Sequence, residues 1–311
     1  MTTLNKLLKI TFMIISLFPL ISANASNIPD ELLNMPIQLL SGKTVTLKEY
    51  EGKRPVYLKF WATWCQPCRK QMPHFEHITQ QYGDDLVVIA INLGINDDLA
   101  AVKETQNEFN LTMPMAIDTN GDLAKAFKLL GTPYHLLFDK QMNLVHIGHK
   151  ADLTLDNKIA LISRNEPVDL LADGTITETA FSIDLSLDDG KIHALYFSST
   201  WCDWYFNDTR PDMSKECVNA QKLVNQLSGK FDEFTWQGII SRLWTGEAEL
   251  KDYVKKYQIT HLVNIDGNNS LFHQFAINKL PTLVVVQNGK ILLKTSTFSD
   301  SEALNKKLST F

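Results

Sequence analysis

The segment Trp61-Ala62-Thr63-Trp64-Cys65-Gln66-Pro67-Cys68 lies between two patterns of different period. Before it, Val56-Tyr57-Leu58-Lys59-Phe60 is a nearly continuous apolar run, which predicts a buried strand. After it, Met72, Phe75, Ile78 and Tyr82 recur at three- and four-residue steps, which predicts a helix. Cys65 therefore falls where a strand ends and a helix begins. The free N–H groups and the positive dipole end at such a point favour a thiolate. Cys68 lies one turn further on, close enough to bond to Cys65, so one thiol can attack and the second can resolve. The spacing also suits half of a structural zinc site. Zinc would need a second ligand pair. His74 and His77 stand on the same helix, where a single turn does not wrap four ligands round one ion, so no metal site is assigned.

The motif Trp64-Cys65-Gln66-Pro67-Cys68 after a strand, with Pro73 five residues on, resembles thioredoxin. Phe60-Trp61-Ala62-Thr63-Trp64-Cys65 is similar, more narrowly, to the exported TlpA/ResA-like reductases, and the resemblance covers Met35 to Lys150. It implies an α/β fold with a central mixed sheet flanked by helices. It implies Cys65 as the nucleophile that attacks a substrate disulfide and Cys68 as the thiol that resolves the mixed disulfide. It implies a cis-proline beside the pair at Pro133, with the backbone of Thr132 open to a substrate strand and Trp64 at the rim. It implies no cofactor beyond the Cys65–Cys68 disulfide, protein disulfides as substrates, and a membrane thiol transporter as reductant. Two positions depart from the family. Lys59 stands where an acidic or polar group is common: either its cation favours a nearby thiolate, or its side chain snorkels to water. Gln71 stands where related reductases carry a titratable glutamate, so proton transfer at Cys68 either draws on another group or is weaker.

The chain has 311 residues, long enough for two domains, with 44% hydrophobic and 21% charged residues. A formal net charge of −5 implies neither a nucleic-acid surface nor a general affinity for anionic membranes. Lys6 and Lys9, the apolar run Ile10 to Ile21 and Ala23-Asn24-Ala25 form the n-region, h-region and cleavage pattern of a signal peptide. The run is short for a bilayer, which needs about 20 residues, so no membrane span is expected after cleavage. An exported protein with cysteine pairs points to the periplasm.

The pattern of strands alternating with helices continues to Ser163, with Asp97 to Phe109 reading as a helix that buries Leu99, Val102 and Phe109. The expected boundaries are a signal peptide at 1–25, a TlpA/ResA-like domain at 26–164, a linker at 165–175 and a second domain at 176–311. The second domain repeats the first. Thr200-Trp201-Cys202 matches Thr63-Trp64-Cys65 at an offset of 137. Ile117-Asp118, Leu123, Phe127 and Pro133 match Ile265-Asp266, Leu271, Phe275 and Pro281 at an offset of 148. An insertion between Cys202 and Cys217 accounts for the change, and Pro281 takes the place of the second cis-proline. The intervening stretch, Asp203 to Glu216, reads as a loop rich in charge and aromatics. Cys202 and Cys217 form either a structural disulfide or a second redox site, and the second domain is either catalytic or a docking adaptor. The function these features support is an exported thiol–disulfide oxidoreductase that reduces periplasmic protein disulfides. Its rivals are a Cu(I)-handling or substrate-docking binding protein, or a net oxidase or isomerase.

Overall fold

The computed structural model describes residues 28–171, 183 and 185–311. The signal peptide expected at 1–25 and the end of the expected linker lie outside the described residues.

A short helix, α1 (Asp30–Leu33), leads into β1 (Ile37–Gln38) and β2 (Thr44–Val45), an antiparallel pair. Their turn passes through Gly42 at φ +88°, a conformation that L side chains avoid. The apolar run becomes β3 (Val56–Trp61), in which all six residues are buried. Then come α2 (Gln66–Lys70), α3 (Met72–Tyr82), β4 (Val87–Asn92), α4 (Leu99–Glu108), β5 (Met115–Ile117), α5 (Asp122–Ala126), β6 (Tyr134–Phe138), β7 (Leu144–Gly148) and α6 (Leu153–Ser163). The first sheet has the order β5-β4-β3-β6-β7, with β3, β4 and β5 parallel and β6 and β7 antiparallel to their neighbours. β3 is central, and each large apolar side chain it buries contributes about 1.5–3 kcal/mol.

The second half forms β8 (Ile192–Ser198), α7 (Cys202–Tyr205), α8 (Pro211–Lys230), β9 (Thr235–Ser241), α9 (Glu247–Tyr257), β10 (Leu262–Asp266), α10 (Ser270–Gln274), β11 (Thr282–Gln287), β12 (Lys290–Thr295) and α11 (Ser301–Leu308). Its sheet, β10-β9-β8-β11-β12, has the same order and the same parallel and antiparallel pairs as the first. The repeat extends to polar detail. Asp118 accepts the N–H groups of Leu123 and Ala124 at the start of α5, and Asp266 accepts those of Leu271 and Phe272 at the start of α10.

Three expectations need correction. Leu99 is 47% exposed, because it opens α4 next to its cap Asp98, and Val102 is the residue buried from that face. The stretch from Asp203 to Glu216 is largely helical rather than a loop. Pro211 sits in the first turn of α8, where its missing N–H has no helical partner to lose, so the chain re-enters a helix six residues before Cys217. Lys59 does not snorkel, since no atom of it reaches the surface.

Candidate redox site at the end of β3

Cys65 is the N-cap of α2, with extended backbone angles. Its Sγ accepts the N–H of Cys68 at 3.2 Å, and Pro67 occupies the first turn. Cys65 and Cys68 are disulfide-bonded, with S–S 2.03 Å and Cα–Cα 5.2 Å. Pro73 cannot continue the helical hydrogen-bond ladder, so the helix divides at Gln71 into α2 and α3. The register of β3 against β6 sets Lys59 opposite His135 and Phe60 opposite Tyr134. This brings the Thr132–Pro133 bond, which is cis, to the end of the sheet where Cys65 stands. Leu280–Pro281 is cis at the matching place in the second sheet.

Beneath the disulfide lies a connected polar network. The Tyr57 hydroxyl donates to Nδ1 of His135 at 2.6 Å, and the His135 Nε2–H donates to Oε1 of Gln71 at 2.9 Å. The Gln71 amide donates to the His149 carbonyl, which fixes its orientation, and His149 Nδ1–H donates to the Pro133 carbonyl at 2.7 Å. Lys59 Nζ donates to the Gln71 carbonyl at 3.4 Å and lies 4.9 Å from the centre of the Phe75 ring. Burial lowers the Lys59 pKa to about 7. Burial, and then the Lys59 charge, hold His135 well below the usual histidine range. Gln71, read from sequence as an inert replacement, thus joins the cis-proline loop to two titratable groups. His135 is buried, with both ring nitrogens hydrogen-bonded. Its place opposite Lys59 was accessible from strand pairing, but its bond to Gln71 crosses from sheet to helix and has no local signal.

The structure also gathers residues from the second domain at this site. Trp64, expected at an open rim, is buried, and it stacks on Trp201 with ring centres 5.1 Å apart. Its indole N–H donates to the Ile95 carbonyl at 2.7 Å, and the Trp201 indole N–H donates to the Leu243 carbonyl at 2.7 Å. Phe206 and Trp244 pack edge-on against Trp64. The Tyr205 hydroxyl accepts the N–H of Gln66 at 3.0 Å. Thr132 is buried, and its Oγ1 has no hydrogen-bond partner. Tyr134 is also buried, with its hydroxyl donating to the Phe127 carbonyl. Trp61 is a core residue.

Cys202 and Cys217 are disulfide-bonded, with Cα–Cα 6.0 Å, and both are buried. Cys202 begins α7 and Cys217 lies in the second turn of α8. Asp203 is buried beside them and is held by Lys256 Nζ at 2.7 Å and by the Tyr257 hydroxyl. Among the described residues no group of three or more His, Cys, Asp or Glu side chains is arranged to hold a metal, and no helix is long and apolar enough to cross a membrane.

Residues 28–147 match the AhpC/TSA family. The thiol-disulfide oxidoreductase ResA of Bacillus thuringiensis subsp. konkukian is 35% identical over 115 residues, covering 37% of this chain and 65% of that protein. ResA of Bacillus thuringiensis strain Al Hakam is 33% identical over 135 residues, covering 43% of this chain and 77% of that protein. The thioredoxin-like protein YneN of Bacillus subtilis is 31% identical over 128 residues, covering 40% of this chain and 74% of that protein. The chain thus spans 65% of the length of the first of these relatives, and each match takes in less than half of this chain.

Proposed function

Because this chain belongs to the ResA-like thioredoxin family, we propose that it is an exported thiol–disulfide oxidoreductase that reduces disulfides in periplasmic proteins through Cys65 and Cys68. The observation that carries this reading is the N-cap geometry, in which the Cys68 N–H is aimed at Cys65 Sγ. In the reduced protein that N–H stabilises negative charge on Cys65, which makes it the attacking thiolate.

The reaction balances in two exchanges. The Cys65 thiolate attacks one sulfur of a substrate disulfide, forms a mixed disulfide and releases the other substrate sulfur as a thiolate, which takes up a proton. Cys68 then loses its proton and attacks Cys65 Sγ, so the Cys65–Cys68 disulfide forms and the second substrate thiol leaves. Two electrons have passed to the substrate. Buried Lys59, whose pKa burial lowers to about 7, lies under the turn that follows Cys68, with its Nζ 3.4 Å from the Gln71 carbonyl, and is the amine this reading assigns to take the proton. A membrane thiol reductant resupplies the electrons. Export is supported by the order of basic, apolar and small residues through Ala25.

The test is trapping. Cys65→Ser should abolish reduction of insulin, and Cys68→Ser should accumulate mixed disulfides that peptide mapping locates at Cys65. Wild-type turnover by Cys65→Ser removes the assignment. Equilibration of the wild-type pair in glutathione buffers tests the reductive direction, and N-terminal sequencing of secreted protein should begin at Ser26.

A further inference from the structure

Both active-site sulfurs are out of reach in this structure. Cys65 and Cys68 are 0% exposed, and they share one continuous core with Trp201, Phe206 and Leu243 of the second domain. The covering groups follow an approximate two-fold pattern. The Trp244 N–H donates to the Leu130 carbonyl at 2.9 Å, and the Asn96 N–H donates to the Asn278 carbonyl at 2.8 Å. Residues 96 and 244, and residues 130 and 278, are each 148 apart, the offset of the internal repeat. Asn96 Oδ1 also accepts the N–H of Leu280, the residue before Pro281. Arg210 closes one side: its guanidinium donates to the Thr63 hydroxyl at 2.5 Å and to the Asn96 carbonyl at 3.1 Å, and it pairs with buried Asp97.

We propose that the second domain is a built-in occupant of the substrate surface of the first, so that a disulfide substrate reaches Cys65 only by displacing it. The occupant resembles what the surface would take. It lays an aromatic residue, Trp244, against Gly131 in the loop that leads to Pro133 and donates one backbone N–H to the Leu130 carbonyl, the kind of main-chain bond that an extended peptide makes. It also places an aromatic hydroxyl on the N–H of Gln66, next to the sulfur that reacts. The partner class is therefore an extended polypeptide carrying a disulfide flanked by aromatic or apolar residues, as in an incompletely folded protein. This inference rests on the proposed substrate side of Cys65. The occlusion itself is independent of turnover, and the two are tested separately.

The experiment uses the full chain, fully reduced, and follows alkylation of Cys65 by iodoacetamide and by a polyethylene-glycol maleimide, with the site read by peptide mapping. In wild type both reagents should be slow and the bulky one slower. Arg210→Ala removes the charge-assisted bonds across the interface and should speed both by about tenfold or more, the factor for a lost hydrogen bond to a charged group. Tyr205→Phe is nearly isosteric, keeps the fold, and should give a smaller rise of about threefold. Equal rates in wild type and both variants, or rapid wild-type modification by the bulky reagent, overturn the occlusion. If the variants open but no form of the protein reduces insulin, the occlusion stands and the reductase reading fails.

Discussion

Lys59 has no route to water, because every residue of β3 is buried. Burial lowers its pKa from 10.5 to about 7, so between those values the folded chain is deprotonated at this site while the unfolded chain is not. The unfolded state then binds the extra proton, and the sign follows: this group makes stability rise with pH through that window. Lys59→Met should therefore stabilise the protein by on the order of 2–4 kcal/mol near pH 7. The advantage should shrink as pH climbs towards 10.5. Urea unfolding of both proteins across that range checks this, and a difference that does not vary with pH would count against a buried amine. Gln71 offers a second handle. A carboxylate in Gln71→Glu would take the place of the oxygen that now lies 2.9 Å from His135 Nε2, and it would pull the depressed His135 pKa back up. The pair would titrate as a unit. The pH profile of Cys65 alkylation should gain a step absent from wild type, while stability changes less. Superimposable profiles would disconnect the network from the thiols.

α7 and α8 are the elements that sequence reading handled least well. β3 and α3 were legible because their periods differ sharply, two buried faces against a three- and four-residue step, and the cysteines mark the junction. Asp203 to Glu216 has no such period. Its charges and aromatics look like a solvated loop, yet Asp203 turns inward to Lys256 and Tyr257, and Phe206 is fully buried. Those partners lie about 50 residues away in sequence and leave no local mark. Trp204 alone behaves as a loop aromatic, at 61% exposed. The pairing of Cys202 with Cys217 closes a separation of 15 residues, so the double variant Cys202→Ser/Cys217→Ser should lose about 3 kcal/mol on the loop-entropy account. The denaturant midpoint reports it. In oxidised Arg210→Ala protein, whose interface is opened, dithiothreitol should reduce this bridge more slowly than the Cys65–Cys68 bridge, because Cys65, its charge stabilised by the Cys68 N–H, is the better leaving thiolate. Equal rates would count against a purely structural role for the second bridge.

At the scale of the molecule, the internal offset of 148 residues was readable, and with it the two sheets of one order. How the two halves meet was not readable, because the same aromatic residues serve as core, docking rim or interface according to what faces them. Trp64 is the example: its motif marks a redox site, while its partner Trp201 comes from the other half of the chain. Gly131 now shows how tightly that meeting is built. Its backbone is not in the left-handed region, so alanine is acceptable there on conformational grounds. A Cβ at 131, however, would lie 2.4 Å from Nε1 and 2.6 Å from Cδ1 of Trp244. That ring cannot simply swing aside, since Trp64, Trp201 and Tyr205 surround it with centres 5.4 to 6.0 Å away. The strain must then fall on the contact between the two halves, where crowding of this kind costs about 1–3 kcal/mol. Gly131→Ala should therefore open the molecule, raising Cys65 alkylation by about fivefold or more and increasing the radius of gyration seen by small-angle scattering. Gly229→Ala is the matched control, because its Cβ would meet nothing within 4 Å and its helix favours alanine. If Gly131→Ala alkylates and scatters as Gly229→Ala does, the two halves are not held closed through Trp244 in solution.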